Sequence, residues 1–180
     1  MKKILNILIF AILIITLTGC SKSAKMTVEE YLDRYNSLDA EVLNDMNDIV
    51  NMENMSDDDK ETYTAIFKKQ YADLQYKVLD EEYDGDEAII KVKISVYDYY
   101  KVQRDASVYL ANNADEFNDE NGIYDSSKFI KYKLEKMKMT TDKVDYTIDF
   151  YVVKNDNKWI VSSLSNADLE KIHGIYNYES

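Results

Sequence analysis

The spacing of apolar residues after position 26 predicts helices. Apolar side chains recur every three or four residues from Val28 to Ile49, with acidic and amide residues between them, which is the period of a helix with one buried face. Thr27 and Glu30 have the spacing of a capping box and predict that this helix begins at Thr27. A second helix is predicted from Ser56, which is followed by three aspartates. Its predicted core-facing residues are Tyr63, Ile66, Phe67, Gln70 and Tyr71.

After residue 73 the pattern changes to alternation of apolar and polar residues, which predicts half-buried strands. A first strand near 74–78 and a turn at 83–86 lead into the clearest alternation, 88–103, which predicts one long strand that bends. Helical spacing then predicts helices near 108–117 and 127–139. A second hairpin is predicted over 144–161 with its turn at 155–157, and a last short helix ends at Gly174.

The first nineteen residues have the pattern of an export signal. Lys2 and Lys3 precede an apolar run of about fourteen residues, 4–17. A stable membrane span needs about twenty residues, so the run predicts a signal peptide rather than a permanent anchor.

The end of this segment carries a specific motif. Leu17, Thr18, Gly19 and Cys20 resemble the lipobox of bacterial lipoproteins at every position. The resemblance implies cleavage between Gly19 and Cys20 and a diacylglyceryl group on the Cys20 sulfur. We therefore expect a signal peptide at 1–19, a lipidated cysteine with a short tether at 20–26, and a single domain at 27–180.

Two segments of the predicted sheet carry a second resemblance, the long strand 88–103 and the terminal hairpin 146–161. With the helices before them, they resemble the nuclear transport factor 2-like superfold, also called cystatin-like or ketosteroid-isomerase-like. The resemblance implies an α+β domain with N-terminal helices packed in a strongly bent, cone-shaped antiparallel sheet. The lysine-rich helix at 127–139 departs from this pattern. The superfold hosts enzymes, binding modules and dimerisation platforms, so it does not by itself predict an activity.

Composition narrows the functional classes. The chain has 180 residues, of which 46% are hydrophobic and 31% charged, enough for one folded core. Its net charge of −12 argues against nucleic-acid binding, which needs a basic surface. One cysteine and one histidine argue against a zinc site. The calcium-loop pattern that starts at Asp80 has Lys91 where a glutamate ligand is required, so no metal or cofactor is predicted.

Asp98 is the strongest candidate for chemistry. Strict alternation places it on the apolar face between Val96 and Tyr100, where Asp98 and Tyr100 would line a pocket and burial would favour a general base. Two structural alternatives stay open. A bulge turns Asp98 out to solvent, or Asp98 pairs with Arg104 or a tyrosine hydroxyl.

The same register places Tyr97, Tyr99 and Tyr151 on the opposite face. An exposed aromatic row is typical of a partner surface, although tyrosine is also common on ordinary strand surfaces. His173 precedes the helix-ending Gly174, a position that suits a structural histidine.

These observations predict an exported lipoprotein held by its lipid at the outer face of a bacterial membrane, in the cell envelope. We expect its domain to bind a partner protein or a small ligand without catalysis. One alternative is an isomerase- or dehydratase-type enzyme with Asp98 as general base, and another is a passive structural component of an envelope complex. The oligomeric state stays open.

Overall fold

The structure, a computed structural model, describes residues 22–179. Within these residues, three helices precede the sheet: α1 Ala24–Asn36, α2 Ala40–Met52 and α3 Asp57–Ala72. The Ser23 hydroxyl caps α1 by accepting from the Met26 N–H at 3.2 Å. The first helix therefore begins three residues before the predicted Thr27.

The single long helix predicted from the periodicity is two helices. The chain turns at Leu38, whose φ of 53° lies in the left-handed region, and Asp39 caps α2 by accepting from the Glu41 N–H at 3.0 Å. The side-chain amide of Asn36 holds this turn because it donates to the carbonyl oxygen of Tyr71 at 3.0 Å. As a result, α2 folds back beside α3 instead of extending α1.

Four antiparallel strands form one open sheet in the order β1-β2-β3-β4. Their bounds are β1 Gln75–Asp84, β2 Glu87–Tyr97, β3 Lys143–Asn155 and β4 Lys158–Val161. Gly85 forms the predicted turn between β1 and β2 with a φ of 59°, and the register of β1 shifts between Val78 and Asp80. The short strand β4 lies at the edge of the sheet, so on one side it pairs with no other strand from the described part of the chain.

The remaining helices lie around the second hairpin. They are α4 Tyr99–Asn112, a 3-10 turn Ala114–Phe117, α5 Ser126–Met139 and α6 Asn166–His173. Both the lysine-rich helix and the last short helix are confirmed. None of the helices between residues 22 and 179 combines the length and the hydropathy needed to cross a bilayer.

The prediction that one strand continues from residue 88 to residue 103 is wrong in its last part. β2 ends at Tyr97 and α4 begins at Tyr99, because the Asp98 carboxylate caps the helix by accepting from the Lys101 N–H at 2.9 Å. Alternation persists by coincidence at Tyr100 and Val102, which lie half-buried on the first turns of α4.

Helices cover one face of the sheet and form the core with it. Ile90, Val92 and Ile94 of β2 are fully buried, and the alternating burial of β3 matches them. Across the core, Leu32 of α1 and Phe67 of α3 are also fully buried. The predicted α+β class, with N-terminal helices against an antiparallel sheet, is confirmed.

A buried side-chain amide joins α3, β2 and α6. Gln70 of α3 accepts from the Tyr97 N–H at 2.9 Å and donates to the carbonyl oxygens of Tyr97 at 3.4 Å and Ile172 at 3.3 Å. Gly174 follows α6 with a φ of 73°, and a Cβ there would collide with the Tyr97 carbonyl and the Gln70 amide. This junction fixes α6 against the rest of the core.

Candidate ligand-binding groove

A groove of about 590 Å³ lies between helix α1 and the edge strand β4. One of its walls is formed by six consecutive residues, 159–164, which are the end of β4 and the chain beyond it. Ligand sites in proteins typically have roughly 300 to 1,000 Å³, so the α1–β4 groove is large enough for a ligand.

Two residues of β4 that line this groove have main-chain groups that do not bond the neighbouring strand. In an antiparallel pair, residues alternate between those whose main chain bonds the neighbouring strand and those whose main chain faces away. The Ser162 N–H donates to the Tyr151 carbonyl at 2.8 Å, so Ser162 and Ile160 belong to the first set. The main-chain groups of Trp159 and Val161 therefore face away from the sheet.

The chain beyond β4 continues this row. Within residues 22–179, no hydrogen bond joins the main-chain groups of Ser163 or Leu164 to another residue. Main-chain N–H and C=O groups are strong hydrogen-bonding groups that need a partner in water or in a ligand. The wall thus offers unused donors and acceptors at Trp159, Val161, Ser163 and Leu164, whereas Ile160 and Ser162 bond the neighbouring strand.

The opposite wall is a stripe of side chains on α1. Its members have the spacing of one helix face and are Thr27, Glu30, Tyr31, Arg34 and Tyr35. The Tyr31 ring lies 5.9 Å from the Phe150 ring and 5.8 Å from the Tyr35 ring, measured between centroids. These aromatic contacts hold the wall against the sheet.

The charges of the groove are mostly paired with one another. Arg34 of α1 forms an ion pair with Glu41 of α2, and Glu30 forms one with Lys22 at 2.6 Å. Asp45 of α2 lines the groove, and its carboxylate has no ion pair or hydrogen bond with any residue between 22 and 179. The uncompensated charge of the groove is therefore negative.

A second cavity of about 450 Å³ continues the groove toward the start of α1. The two share Thr27, Glu30 and Trp159, and Lys22 and Lys158 line the far end of the second one. The groove therefore reaches the point where the described chain begins.

A smaller cavity of about 250 Å³ opens from the groove between α2 and α6, and we call it the side pocket. Tyr35, Asp45 and Leu169 line both the groove and the side pocket. Its other lining residues on α2 are the apolar Val42, Met46 and Ile49 and the acidic Asp48. The side pocket thus combines apolar walls with two carboxylates.

Two buried polar side chains also line the side pocket. The Tyr71 hydroxyl and His173 Nδ1 share a hydrogen bond of 2.9 Å. Burial lowers the pKa of His173 to about 4, so the imidazole is neutral at physiological pH. Burial also raises the pKa of Tyr71 well above its usual value, with added contributions from Tyr63 and from the Asp45 charge.

Asp98, the candidate general base of the alternative enzyme hypothesis, has a structural role. Its side chain is buried; one carboxylate oxygen caps α4 and the other accepts from the Tyr178 hydroxyl at 3.0 Å. Burial and this hydrogen bond raise the pKa of Tyr178 to about 12. The tyrosine pairing was one of the alternatives left open by the sequence. Tyr100 packs its ring on Tyr178 at 4.9 Å, and neither Asp98 nor Tyr100 lines the cavities described above.

The predicted exposed row of tyrosines does not form. Tyr151 is 60% exposed on the outer face of the sheet, whereas Tyr97 and Tyr99 are buried. Helix α4 starts at Tyr99 and ends the alternation on which the prediction rested. The Tyr97 hydroxyl donates to Asp73 at 2.7 Å and the Tyr99 hydroxyl to the Ile66 carbonyl at 3.3 Å.

The predicted lipidation motif, including Gly19 and Cys20, lies outside the described residues. Between residues 22 and 179, no group of three or more histidine, cysteine or acidic side chains is placed to hold a metal ion. The loop that begins at Asp80 is part of the β1–β2 hairpin.

Sequence reasoning missed the groove because its walls are far apart in the chain. Tyr31 and Tyr35 belong to the apolar row from Val28 to Ile49 that predicts a buried helix face, and their position beside β4 depends on tertiary packing. The available signal was the pair Ser162 and Ser163 after an apolar strand, because small polar residues there mark where strand pairing ends.

Comparison with known proteins adds little to this geometry. No protein-family model matches the chain, and no significant match is found among curated proteins. Among solved structures, the chain is similar to that of YcdA, a candidate lipoprotein of Bacillus subtilis, at 12% sequence identity and a TM-score of 0.41. The match covers 68% of this chain and 39% of the Bacillus chain, so this chain spans well under half the length of that protein.

Replacing Asp98 tests its structural role. Asp98→Leu removes a helix cap and should lower the free energy of unfolding by about 1 to 2 kcal/mol, with a further loss because the Tyr178 hydroxyl loses its acceptor. Asp98→Asn keeps a capping side chain and should retain most of the stability. Urea unfolding monitored by circular dichroism measures both. Equal stability of the Leu variant and the unmodified protein would contradict this role.

Replacing His173 tests the pH dependence of stability. Because its pKa is about 4 in the folded chain and 6.5 in the reference state, the unfolded chain binds the extra proton between these values. Stability from this residue is fully present above pH 6.5 and falls by roughly 3 kcal/mol as the pH drops to 4. His173→Gln should lose this part of the pH dependence. Unfolding is measured for both proteins at pH 7, 5.5 and 4.5. If the free energy of unfolding falls by the same amount in both as the pH drops, the histidine does not contribute.

Proposed function

We propose that this chain is an exported lipoprotein, anchored through Cys20, that binds a ligand in the α1–β4 groove and catalyses no reaction. The observation that carries the proposal is the row of unused main-chain groups at Ser163 and Leu164 in a groove of ligand size. A domain that served only as a spacer would need neither feature.

The position of the groove suits a protein held at a membrane. Helix α1 begins at Ala24, so only residues 20–23 separate the proposed lipid from the folded domain. Lys22, which lines the second cavity, follows Cys20 by two residues, or about 7 Å of extended chain. The groove therefore opens close to the surface that anchors the protein.

The anchor itself must be the lipid. Cleavage before Cys20 removes two lysines and no acidic residue, so the net charge changes from −12 to −14. An acidic domain is repelled by anionic lipid, and two acyl chains hold a protein stably where one does not.

The anchor is tested by replacing the lipidated residue. Cys20→Ala should move the protein from the membrane fraction to the soluble fraction, whereas Ser21→Ala should leave it in the membrane. Membrane fractionation with immunoblotting gives the distribution. Firm membrane association of Cys20→Ala would mean that the apolar segment 4–17 stays as a protein anchor.

Binding in the groove is tested by position-specific photocrosslinking in intact cells. A benzoylphenylalanine side chain at Ser163 should give adducts of defined mass, because Ser163 lies on the groove wall. The matched control is the same side chain at Glu135, an exposed position on α5, which should give none. Equal labelling at both positions, or no adduct at 163, would contradict a ligand-binding groove.

A further inference from the structure

We infer that the ligand is an extended peptide segment that adds to β4 as a fifth strand and places a lysine or arginine side chain in the side pocket. This inference rests on the proposed function and names the chemical class of its ligand. It follows from three features of the groove: its main-chain wall, the shape of the side pocket and the charge at their junction.

The main-chain wall, residues 159–164, is suited to bind an extended polypeptide. A peptide that lies along a free strand edge satisfies its own N–H and C=O groups and those of the edge together. The antiparallel pairing with β3 leaves the main-chain groups of Trp159 and Val161 unbonded. Those of Ser163 and Leu164 have no hydrogen-bond partner within residues 22–179. Six residues of wall span about 20 Å at roughly 3.3 Å per residue, which accommodates a strand of usual length.

The side pocket selects the side chain. Lysine and arginine combine an apolar stem with a charged end, and the pocket combines the apolar walls of Val42, Met46 and Ile49 with the carboxylates of Asp45 and Asp48. Neither carboxylate has an ion pair or hydrogen bond with another described residue. An incoming cation therefore meets acceptors that no residue of the described chain already occupies.

The neighbouring charges favour the same occupant. Arg34, the basic residue on the α1 wall, is paired with Glu41 and Asp39, so its charge is already balanced by two acidic side chains. Lys22 and Lys158 line the second cavity, which shares no lining residue with the side pocket. Since Asp45 lines both the groove and the side pocket, a cation in the side pocket lies next to the groove that contains the main-chain wall.

The test uses the full-length mature protein in detergent micelles and fluorescent pentapeptides with blocked ends and the sequence Val-Thr-X-Thr-Val. The central residue X is lysine, norleucine or glutamate, which share an extended side chain and differ in charge. Fluorescence anisotropy should show that the lysine peptide binds at least about tenfold more tightly than the norleucine peptide, since one charge-assisted contact is worth roughly that factor. The glutamate peptide should bind most weakly.

Variants of the protein separate the two parts of the inference. The double variant Asp45→Asn, Asp48→Asn should remove the preference for lysine over norleucine, whereas Asp58→Asn, an exposed position on α3, should keep it. Ser163→Pro removes a main-chain donor and should weaken all peptides, whereas Ser163→Ala should not. A lysine peptide N-methylated at its alternate amides makes the same test without altering the protein and should bind at least about tenfold more weakly.

Two results would overturn the inference. Equal affinity for the lysine and norleucine peptides, or a preference that survives the double variant, excludes the side pocket as a cation site. Unchanged affinity of the N-methylated peptide excludes strand addition. If either result occurs while benzoylphenylalanine at 163 still gives specific adducts, the groove binds a ligand of another class and the proposed function stands. The proposed function itself would be overturned by the absence of those adducts.

Discussion

The buried amide of Gln70 is the contact on which the arrangement of the domain depends. It bonds the main chain of Tyr97, where β2 ends, and of Ile172, near the end of α6. A fully buried amide needs such partners because each unbonded polar atom would cost about 1 to 3 kcal/mol. The close approach of Gly174 to the same carbonyl shows how tightly the three elements meet. Leu169 and His173 of α6, which line the side pocket, are held in place through this junction.

Most of the fold follows from local patterns in the sequence. The Ser56 cap, the turn at Gly85, the lysine-rich helix α5 and the end of α6 at Gly174 are found as predicted, because each has a strong local signal in capping or turn chemistry. The errors lie where local signals compete. Asp98 continues an alternating pattern and is also a good helix cap, and the cap determines the structure. The break at Leu38 has no glycine or proline to mark it, and it depends on the contact of Asn36 with the end of α3.

The candidate site could be predicted only in part. The segment 17–20 that resembles a lipobox is contiguous, and the resemblance is therefore visible in the sequence. The groove combines α1, α2, β4 and α6, whose residues are separated by more than one hundred positions, and its main-chain wall carries no side-chain signature. The sequence predicts a short strand near the end of the chain. The position of this strand at the sheet edge, beside an aromatic helix face, depends on tertiary packing.

The central claim is that a ligand occupies the main-chain wall of the groove when the protein is at the membrane to which we propose that Cys20 anchors it. Hydrogen exchange of the peptide segment containing Ser163 and Leu164, measured by mass spectrometry, tests it directly. We expect these amides to exchange slowly in native membranes and much faster after purification in detergent, while the core amides of β2 are unchanged. Equally fast exchange in both preparations would contradict the account, since the wall would then have no partner where the protein works.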